Sequence, residues 1–134
     1  MNTSNQTVYE HYHRNDLLQS VLTALHAAGK DIKNLTRRDL RAFDEFHIRG
    51  LEATRELAKL ASFQEGMRIL DLGCGIGGPA RALADEFDCN VIGIDLIESY
   101  CSAAAALTRL VGLQDQVSFQ QCDIAQLPFP DQSF

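Results

Sequence analysis

The sequence predicts an α/β fold, with a parallel sheet preceded by an N-terminal helical segment. Apolar segments of strand length recur near residues 67–72, 90–96 and 117–122, and helical patterns separate them. Near-continuous apolar strands with intervening helices are typical of a parallel sheet that is covered on both faces. Because crossover connections are right-handed, we expect the strands in the spatial order third, second, first.

Composition narrows the classes of function. The chain has 134 residues, of which 46% are hydrophobic and 22% charged, and this suits a domain with a core. Its net charge of −6 argues against a nucleic acid partner, because phosphates require a basic face. No apolar run approaches the roughly 20 residues of a membrane helix, and the polar N-terminus does not resemble a secretory signal. Four cysteines without a Cys-x-x-Cys pair suit reduced thiols, so we expect a cytoplasmic protein without a membrane partner.

Residues 1–65 are expected to form a helical lead segment. Apolar residues recur at helical spacing after Asp16, a suitable N-cap, and Gly29 suits the end of this first helix. Thr36 and Asp39 resemble a capping box, with Asp in place of the usual Glu. A third helix is expected from a stripe formed by Leu51, Thr54, Leu57, Ala58 and Ala61.

Residues 66–134 are expected to contain the sheet, and their most informative part is the turn after its first strand. There the chain reads Ile-Leu-Asp-Leu-Gly-Cys-Gly-Ile-Gly-Gly-Pro-Ala over residues 69–80. Glycines at 73, 75 and 77 allow a sharp turn from strand to helix and keep side chains away from a ligand at the strand end. The free N–H groups of the following helix favour an anionic group nearby.

Two kinds of site fit these glycines. Gly73-x-Gly75-x-x-Gly78 fits the dinucleotide fingerprint, and Asp71-x-Gly73-x-Gly75-x-Gly77 fits the motif of class I S-adenosylmethionine-dependent methyltransferases. Asp71 favours the second kind. A carboxylate would repel a pyrophosphate, whereas it would attract the ammonium group of a methionine moiety, directly or through water.

Two further acids follow the next two strands. Asp95 ends the second strand, where a carboxylate can accept hydrogen bonds from both hydroxyls of a ribose. Asp123 ends the third strand, where it can accept a hydrogen bond from an adenine amino group. The alternatives are that Asp95 only caps the next helix and that Asp123 is an ordinary loop residue. Three acids, each after its own strand, favour one cofactor site along one edge of the sheet.

Residues 69–81, 93–96 and 122–134 resemble the first three cofactor motifs of class I methyltransferases, whose fold is Rossmann-like. Residues 44–57 resemble a subgroup that acts on small molecules and includes sarcosine, dimethylglycine, quinone and tocopherol methyltransferases. The resemblance implies methyl transfer from S-adenosylmethionine to a small-molecule acceptor, with S-adenosylhomocysteine as product. It assigns the methionine end to the first strand and its glycine turn, the ribose and adenine to the second strand end, and the adenine again to the third. The residues so implied are Asp71, Gly73, Cys74, Gly75, Gly77, Asp95, Leu96, Asp123 and Ile124.

The lead segment offers further candidates. Phe46, His47 and Gly50 can close over the cofactor or simply join two helices. Tyr9 and Tyr12 can reach the opening of the same site. His11 and His13 lack a carboxylate or cysteine at metal-ligand spacing, so no metal site is expected. His47 is the only histidine near the expected mouth, and no catalytic base is assigned.

The resemblance also implies that four more strands follow Phe134 in related enzymes. We therefore expect this chain to be the first part of a longer enzyme, ending before the fourth strand. The first strand would then be a free sheet edge, which is a pairing hazard, and self-association through that edge is expected. Two alternative functions stay open: an NAD(P)-dependent oxidoreductase domain, and a non-catalytic binding module that retains the fold.

Overall fold

The computed structural model describes residues 16–44 and 49–134, which form an α/β structure as predicted. The described residues of the lead segment form three α-helices, with two 3₁₀ helices between the first and the second: α1 (Leu17–Ala27), the 3₁₀ helices Ile32–Asn34 and Arg37–Leu40, α2 (Arg41–Asp44) and α3 (Gly50–Leu60). Strands and helices then alternate: β1 (Arg68–Leu72), α4 (Gly78–Phe87), β2 (Asn90–Asp95), α5 (Glu98–Leu110) and β3 (Val117–Gln121). Each strand lies within one residue of its predicted bounds.

The three strands form one parallel sheet with β2 in the centre, which confirms the predicted spatial order. Leu72 of β1 lies beside Ile94 of β2, and Asp95 lies beside Gln121 of β3. The carboxyl ends of all three strands therefore meet at one edge of the sheet, which we call the carboxyl rim.

Two apolar clusters hold the helices in place. The first joins α3 and α4 to the sheet through Ala58, Ala80, Leu83, Ala84, Cys89, Val91 and Val117. The second joins α1 and the 3₁₀ helices to α5 and contains Val21, Leu25, Leu35, Leu40, Ile76, Ala103 and Leu107. Ile76 belongs to the turn after β1, so packing of the lead segment also anchors that turn.

The lead segment differs from the expectation in detail. The capping box of Thr36 and Asp39 is present, but it begins a 3₁₀ helix rather than an α-helix. Asp16 occupies the N-cap position of α1 without a side-chain cap hydrogen bond. Leu57, which the sequence places on the apolar stripe of the third helix, is 63% exposed. The helix α3 buries Gly50, Leu51, Thr54 and Ala58, and Leu57 lies outside this buried face.

No helix in the described part of the chain is both long enough and apolar enough to cross a membrane.

Candidate functional site

Residues 73–77, which we call the glycine loop, turn the chain from β1 into α4. Its glycines adopt the expected left-handed conformations, with φ of +75° at Gly73, +53° at Gly75 and +81° at Gly77. The N–H groups of Gly73 and Cys74 both donate to the carbonyl oxygen of Ile94, at 2.8 and 2.9 Å. The glycine loop is thereby fastened to the central strand.

The glycines of this region have two different roles. A Cβ atom placed at Gly73 or Gly75 would meet no atom of the described residues within 4 Å. At Gly77 and Gly93, by contrast, a Cβ would overlap the ring of Phe119, 2.7 Å from Cε1 at Gly77 and 2.7 Å from Cδ1 at Gly93. Gly77 and Gly93 therefore make room for an aromatic ring beneath the loop, whereas Gly73 and Gly75 border open space in which a ligand can lie.

Asp95 connects the glycine loop to the end of β2. Its Oδ2 accepts a hydrogen bond of 2.9 Å from the N–H of Gly75, and its Oδ1 accepts one of 3.0 Å from the N–H of Ile97. The second bond stabilises the turn into α5, so the helix-capping alternative describes one part of what Asp95 does. Each carboxylate oxygen has a second lone pair that remains available to a ligand.

The end of β3 lies next to Asp95. The N–H of Cys122 donates to the carbonyl oxygen of Asp95 at 2.9 Å, and the side chain of Gln121 donates to the carbonyl oxygen of Leu96 at 3.0 Å. Asp123 follows, and its Oδ1 accepts a hydrogen bond of 2.9 Å from Ala125 in the next turn. Leu96 is half-buried, whereas Ile124 is exposed. The rim thus presents two carboxylates and two apolar side chains in a short space.

Asp71 lies on β1 beside Gly93, two residues before the glycine loop. Since side chains two residues apart on a strand share a face, Asp71 lies on the face of the sheet that Gly93 and Asp95 share. Its negative charge contributes to raising the pKa of Cys74, so it is close to the loop. Asp71, Asp95 and Asp123 therefore all lie along the carboxyl rim, as the sequence predicted.

Cys74 lies in the glycine loop, and its thiol is buried against that of Cys101 in the first turn of α5. The hydrogen bond that the Cys74 thiol donates to Cys101 and the burial of Cys74 both raise the pKa of Cys74. The thiol of Cys74 is therefore protonated at neutral pH. In this arrangement Cys74 closes the loop on its inner side and does not act as a thiolate nucleophile.

Arg81 is a residue of this region that the sequence reasoning did not single out. Its side chain is fully buried, and its sequence neighbours in α4, Ala80, Ala82, Leu83 and Ala84, are buried too. The sequence feature that could have identified Arg81 is its charge within an otherwise apolar helical run. Its guanidinium donates to Oδ1 of Asp44 at 2.5 Å and to Oγ1 of Thr108 at 3.1 Å. Arg81 therefore joins the lead segment, α4 and α5.

A cavity of about 640 Å³ lies near the other end of α4, away from the glycine loop. It is lined by Arg37, Arg38, Arg41, Leu51, Arg55, Asp85 and Glu86. Arg37 pairs with both Asp85 and Glu86, and Arg55 pairs with Glu86. Four arginines face two carboxylates here, so the lining keeps a net positive charge although Arg37 and Arg55 are paired across the junction of the lead segment and α4.

Several residues considered from the sequence lie outside the described part of the chain: Tyr9, His11, Tyr12, His13, Phe46 and His47. Gly50 is described; it is buried and begins α3. Within residues 16–44 and 49–134, no group of three or more His, Cys, Asp or Glu side chains has the arrangement of a metal site.

Part of the chain is similar in sequence to known proteins. Residues 69–134 match a protein family described as a methyltransferase domain. Over 85 residues, the chain is 41% identical to phosphoethanolamine N-methyltransferase 1 of Arabidopsis thaliana. That alignment covers 63% of this chain and 17% of the plant protein, so the chain spans only a small part of that relative.

Solved structures share the fold. The [4+2]-cyclase SpnF superposes with a TM-score of 0.67 at 26% identity, over 97% of this chain and 46% of its own. A geranyl diphosphate methyltransferase solved in complex with SAM superposes with a TM-score of 0.58 at 26% identity, over 69% of this chain and 37% of its own. The expectation of a Rossmann-like sheet is confirmed by these likenesses.

Proposed function

We propose that the chain, whose residues 69–134 match a methyltransferase domain, binds S-adenosylmethionine as the cofactor-binding part of an enzyme that methylates a small molecule. One observation carries the proposal most directly. Gly73 and Gly75 face open space at the carboxyl rim, and three carboxylates lie along the same rim.

The residues present fit this cofactor. A backbone without side chains at positions 73 and 75 leaves room for a ligand to lie against the loop, and a Cβ at either position would enter that room. The rim is acidic, which suits a ligand with an ammonium group, a sulfonium and ribose hydroxyls. It does not suit the pyrophosphate of a dinucleotide, so the oxidoreductase alternative is disfavoured.

We assign the roles along the rim in the order of the strands. Asp71, Gly73, Cys74, Gly75 and Gly77 would hold the methionine end, with Asp71 attracting its ammonium group. Asp95 would accept hydrogen bonds from the ribose hydroxyls through the lone pairs that Gly75 and Ile97 leave available. Leu96 and Ile124 would contact the adenine ring, and Asp123 would accept from its amino group.

When bound, S-adenosylmethionine supplies a methyl group on a positively charged sulfur, which is a good leaving group. The chain's own residues are needed to hold the donor in a fixed orientation and to exclude water at the loop. A general base is required only when the acceptor must lose a proton before it attacks. We assign no base among the described residues.

The finer parts of the proposal concern the acceptor and the setting. We propose a small-molecule acceptor of the kind handled by the sarcosine, dimethylglycine, quinone and tocopherol subgroup, a cytoplasmic location, and no nucleic acid partner. The net charge of −6 supports the last point, and four free cysteines support a reducing compartment. Residues 1–65 would be the lead segment over the site and 66–134 the cofactor-binding part.

Self-association is a separate part of the proposal. Within the described residues, β1 pairs with β2 on one side only, and Leu72 is 52% exposed. A free edge of this kind pairs readily with another strand. We expect the isolated chain to associate through β1. Light scattering checks this, and a soluble monomer at high concentration would contradict it.

Calorimetric titration with S-adenosylhomocysteine tests the main proposal, with NADH as the competing ligand. We expect saturable binding of the first and none of the second. Binding of NADH alone would reverse the assignment.

A second candidate is a module that binds the cofactor without transferring methyl groups. The [4+2]-cyclase SpnF superposes on 97% of this chain and is named for a reaction other than methyl transfer, so the fold by itself does not imply methyl transfer. Incubation of the longest available form of the protein with radiolabelled S-adenosylmethionine and candidate amines or phenols distinguishes the two. Cofactor binding with no labelled product from any acceptor would support the second candidate.

A further inference from the structure

The buried ion pair between Arg81 and Asp44 joins the lead segment to α4 next to the glycine loop. Arg81 is 0% exposed and the side chain of Asp44 is 7% exposed. Besides Asp44, the guanidinium donates to Oγ1 of Thr108 and to the carbonyl oxygen of Ala104, at 3.1 and 3.4 Å. A cation removed from water in this way is tolerated only because a carboxylate and further acceptors surround it.

Both members of the ion pair lie against the turn from the glycine loop into α4. A Cβ placed at Gly77 would lie 3.1 Å from Nη1 of Arg81, and a Cβ at Gly78 would lie 2.7 Å from Cα of Asp44. A side chain at position 78 would overlap the lead-segment backbone, and one at position 77 would crowd the guanidinium. The position of Asp44 and the end of the glycine loop are therefore coupled through Gly78, the first residue of α4, and through the side chain of Arg81.

A second set of ion pairs joins the same elements at the far end of α4. Arg37 of the 3₁₀ helix pairs with Asp85 and Glu86, and Arg55 of α3 pairs with Glu86. These pairs are partly exposed, and they lie about two helical turns from the glycine loop. They provide a natural comparison, because they hold the lead segment on α4 without touching the loop.

Stability alone does not explain why a charge is buried at Arg81. Replacing a buried ion pair by apolar residues of similar volume is often neutral or stabilising, whereas an ion pair fixes a specific register between two elements. The lead segment reaches α4 at Asp44, directly beside the residues that we assign to the methionine end of the cofactor. A fixed register matters most at this place.

We propose that Arg81 is a positioning residue, which holds Asp44 of the lead segment against Gly78 and thereby fixes the glycine loop in its cofactor-binding shape. This inference rests on the proposed function for its consequence on cofactor affinity. Its structural part, the restraint of the glycine loop by Asp44, does not depend on the identity of the ligand.

The test compares Asp44→Asn with Glu86→Gln in the full chain. Both substitutions replace a carboxylate with an amide in an ion pair between the lead segment and α4, but only the first is beside the loop. One readout is the Kd for S-adenosylhomocysteine by calorimetry. The other is amide hydrogen exchange of residues 73–77 without ligand, measured in urea concentrations that give all variants equal global stability.

We expect Asp44→Asn to weaken binding at least tenfold and to speed exchange in the glycine loop about tenfold, while Glu86→Gln changes both less than twofold. If Asp44→Asn does not fold, the double variant Asp44→Leu/Arg81→Met removes both charges and is expected to show the same two effects. Equal effects of Asp44→Asn and Glu86→Gln at matched stability would overturn the inference. If the wild-type chain binds no S-adenosylhomocysteine, the proposed function fails, and hydrogen exchange alone then decides the positioning role.

Discussion

The amide of Gly75 donates a 2.9 Å hydrogen bond to Oδ2 of Asp95, so the middle of the glycine loop is held by the acid that ends the neighbouring strand. The acid that we assign to the ribose thus also shapes the loop that we assign to the methionine end. Loop and acid form one unit, and a change at either is expected to affect both ends of the cofactor.

Asp95→Ala removes this link. We expect cofactor binding to weaken by about 1–3 kcal/mol, because hydrogen bonds to a charged group are lost. Calorimetry with S-adenosylhomocysteine measures the effect. Asp115→Ala is the control, since Asp115 is an exposed residue before β3, at the opposite edge of the sheet. An unchanged affinity in Asp95→Ala would reject the assigned role.

Comparing Gly75→Ala with Gly78→Ala distinguishes a glycine that leaves space for a ligand from one that is needed for packing within the protein. At Gly75 the new methyl group meets open space but must adopt a φ of +53°, at a cost of about 1–2 kcal/mol in stability. At Gly78 it would lie 2.7 Å from Cα of Asp44, and overpacking of this kind costs about 1–3 kcal/mol or more. Urea unfolding measures both costs.

The same pair is expected to differ in cofactor binding. Gly75→Ala should lose most affinity while the chain stays folded, because its methyl group occupies the space of the ligand. If Gly75→Ala binds S-adenosylhomocysteine as tightly as the wild type does, then the open space at the loop is not the cofactor site.

Because of Glu86, the free energy of unfolding of the chain is expected to fall at acidic pH. The hydrogen bond from Arg55 is the main cause that holds its pKa below the ordinary value, and Arg37 adds to it. Its contribution is therefore present above the unfolded pKa of about 4.3 and is lost as pH falls through the lower folded value. Because the ion pairs of Glu86 lie at the surface and are partly exposed, we expect the contribution to stay below about 1 kcal/mol.

Chemical unfolding at several pH values between about 7 and 3 checks this dependence. Wild type is expected to lose more stability than Glu86→Gln over the acid part of the range. Parallel curves for the two proteins would show that the ion pairs of Glu86 make no net contribution.

The cysteines are expected to differ in reactivity. Burial is the main cause that raises the pKa of Cys89, and Cys74 and Cys101 are buried against one another. Cys122 is partly exposed at the end of β3. Alkylation of the native protein near pH 8, followed by mass spectrometry, is expected to label Cys122 first and the other three only on unfolding. Rapid labelling of Cys74 would mean that the glycine loop opens readily.

The sequence by itself determined the order of the elements and the place of the candidate site. Apolar strands separated by helical patterns have few ways to pack, and right-handed crossovers leave one spatial order for three such strands. The glycine spacing after β1 and the acids after β2 and β3 are local in sequence. Parallel strands bring their carboxyl ends to one rim, so Asp71, Asp95 and Asp123 could be placed together without coordinates.

Only the tertiary structure decided which glycines make room for a ligand and which for the protein itself. Gly73 and Gly75 face open space, whereas Gly77 accommodates the ring of Phe119, which is distant in sequence. The sequence pattern did not predict the pairing of Arg81 with Asp44 either, because 37 residues separate the two partners. Periodicity reports how each element faces its surroundings, but contacts between elements depend on how those elements pack against each other.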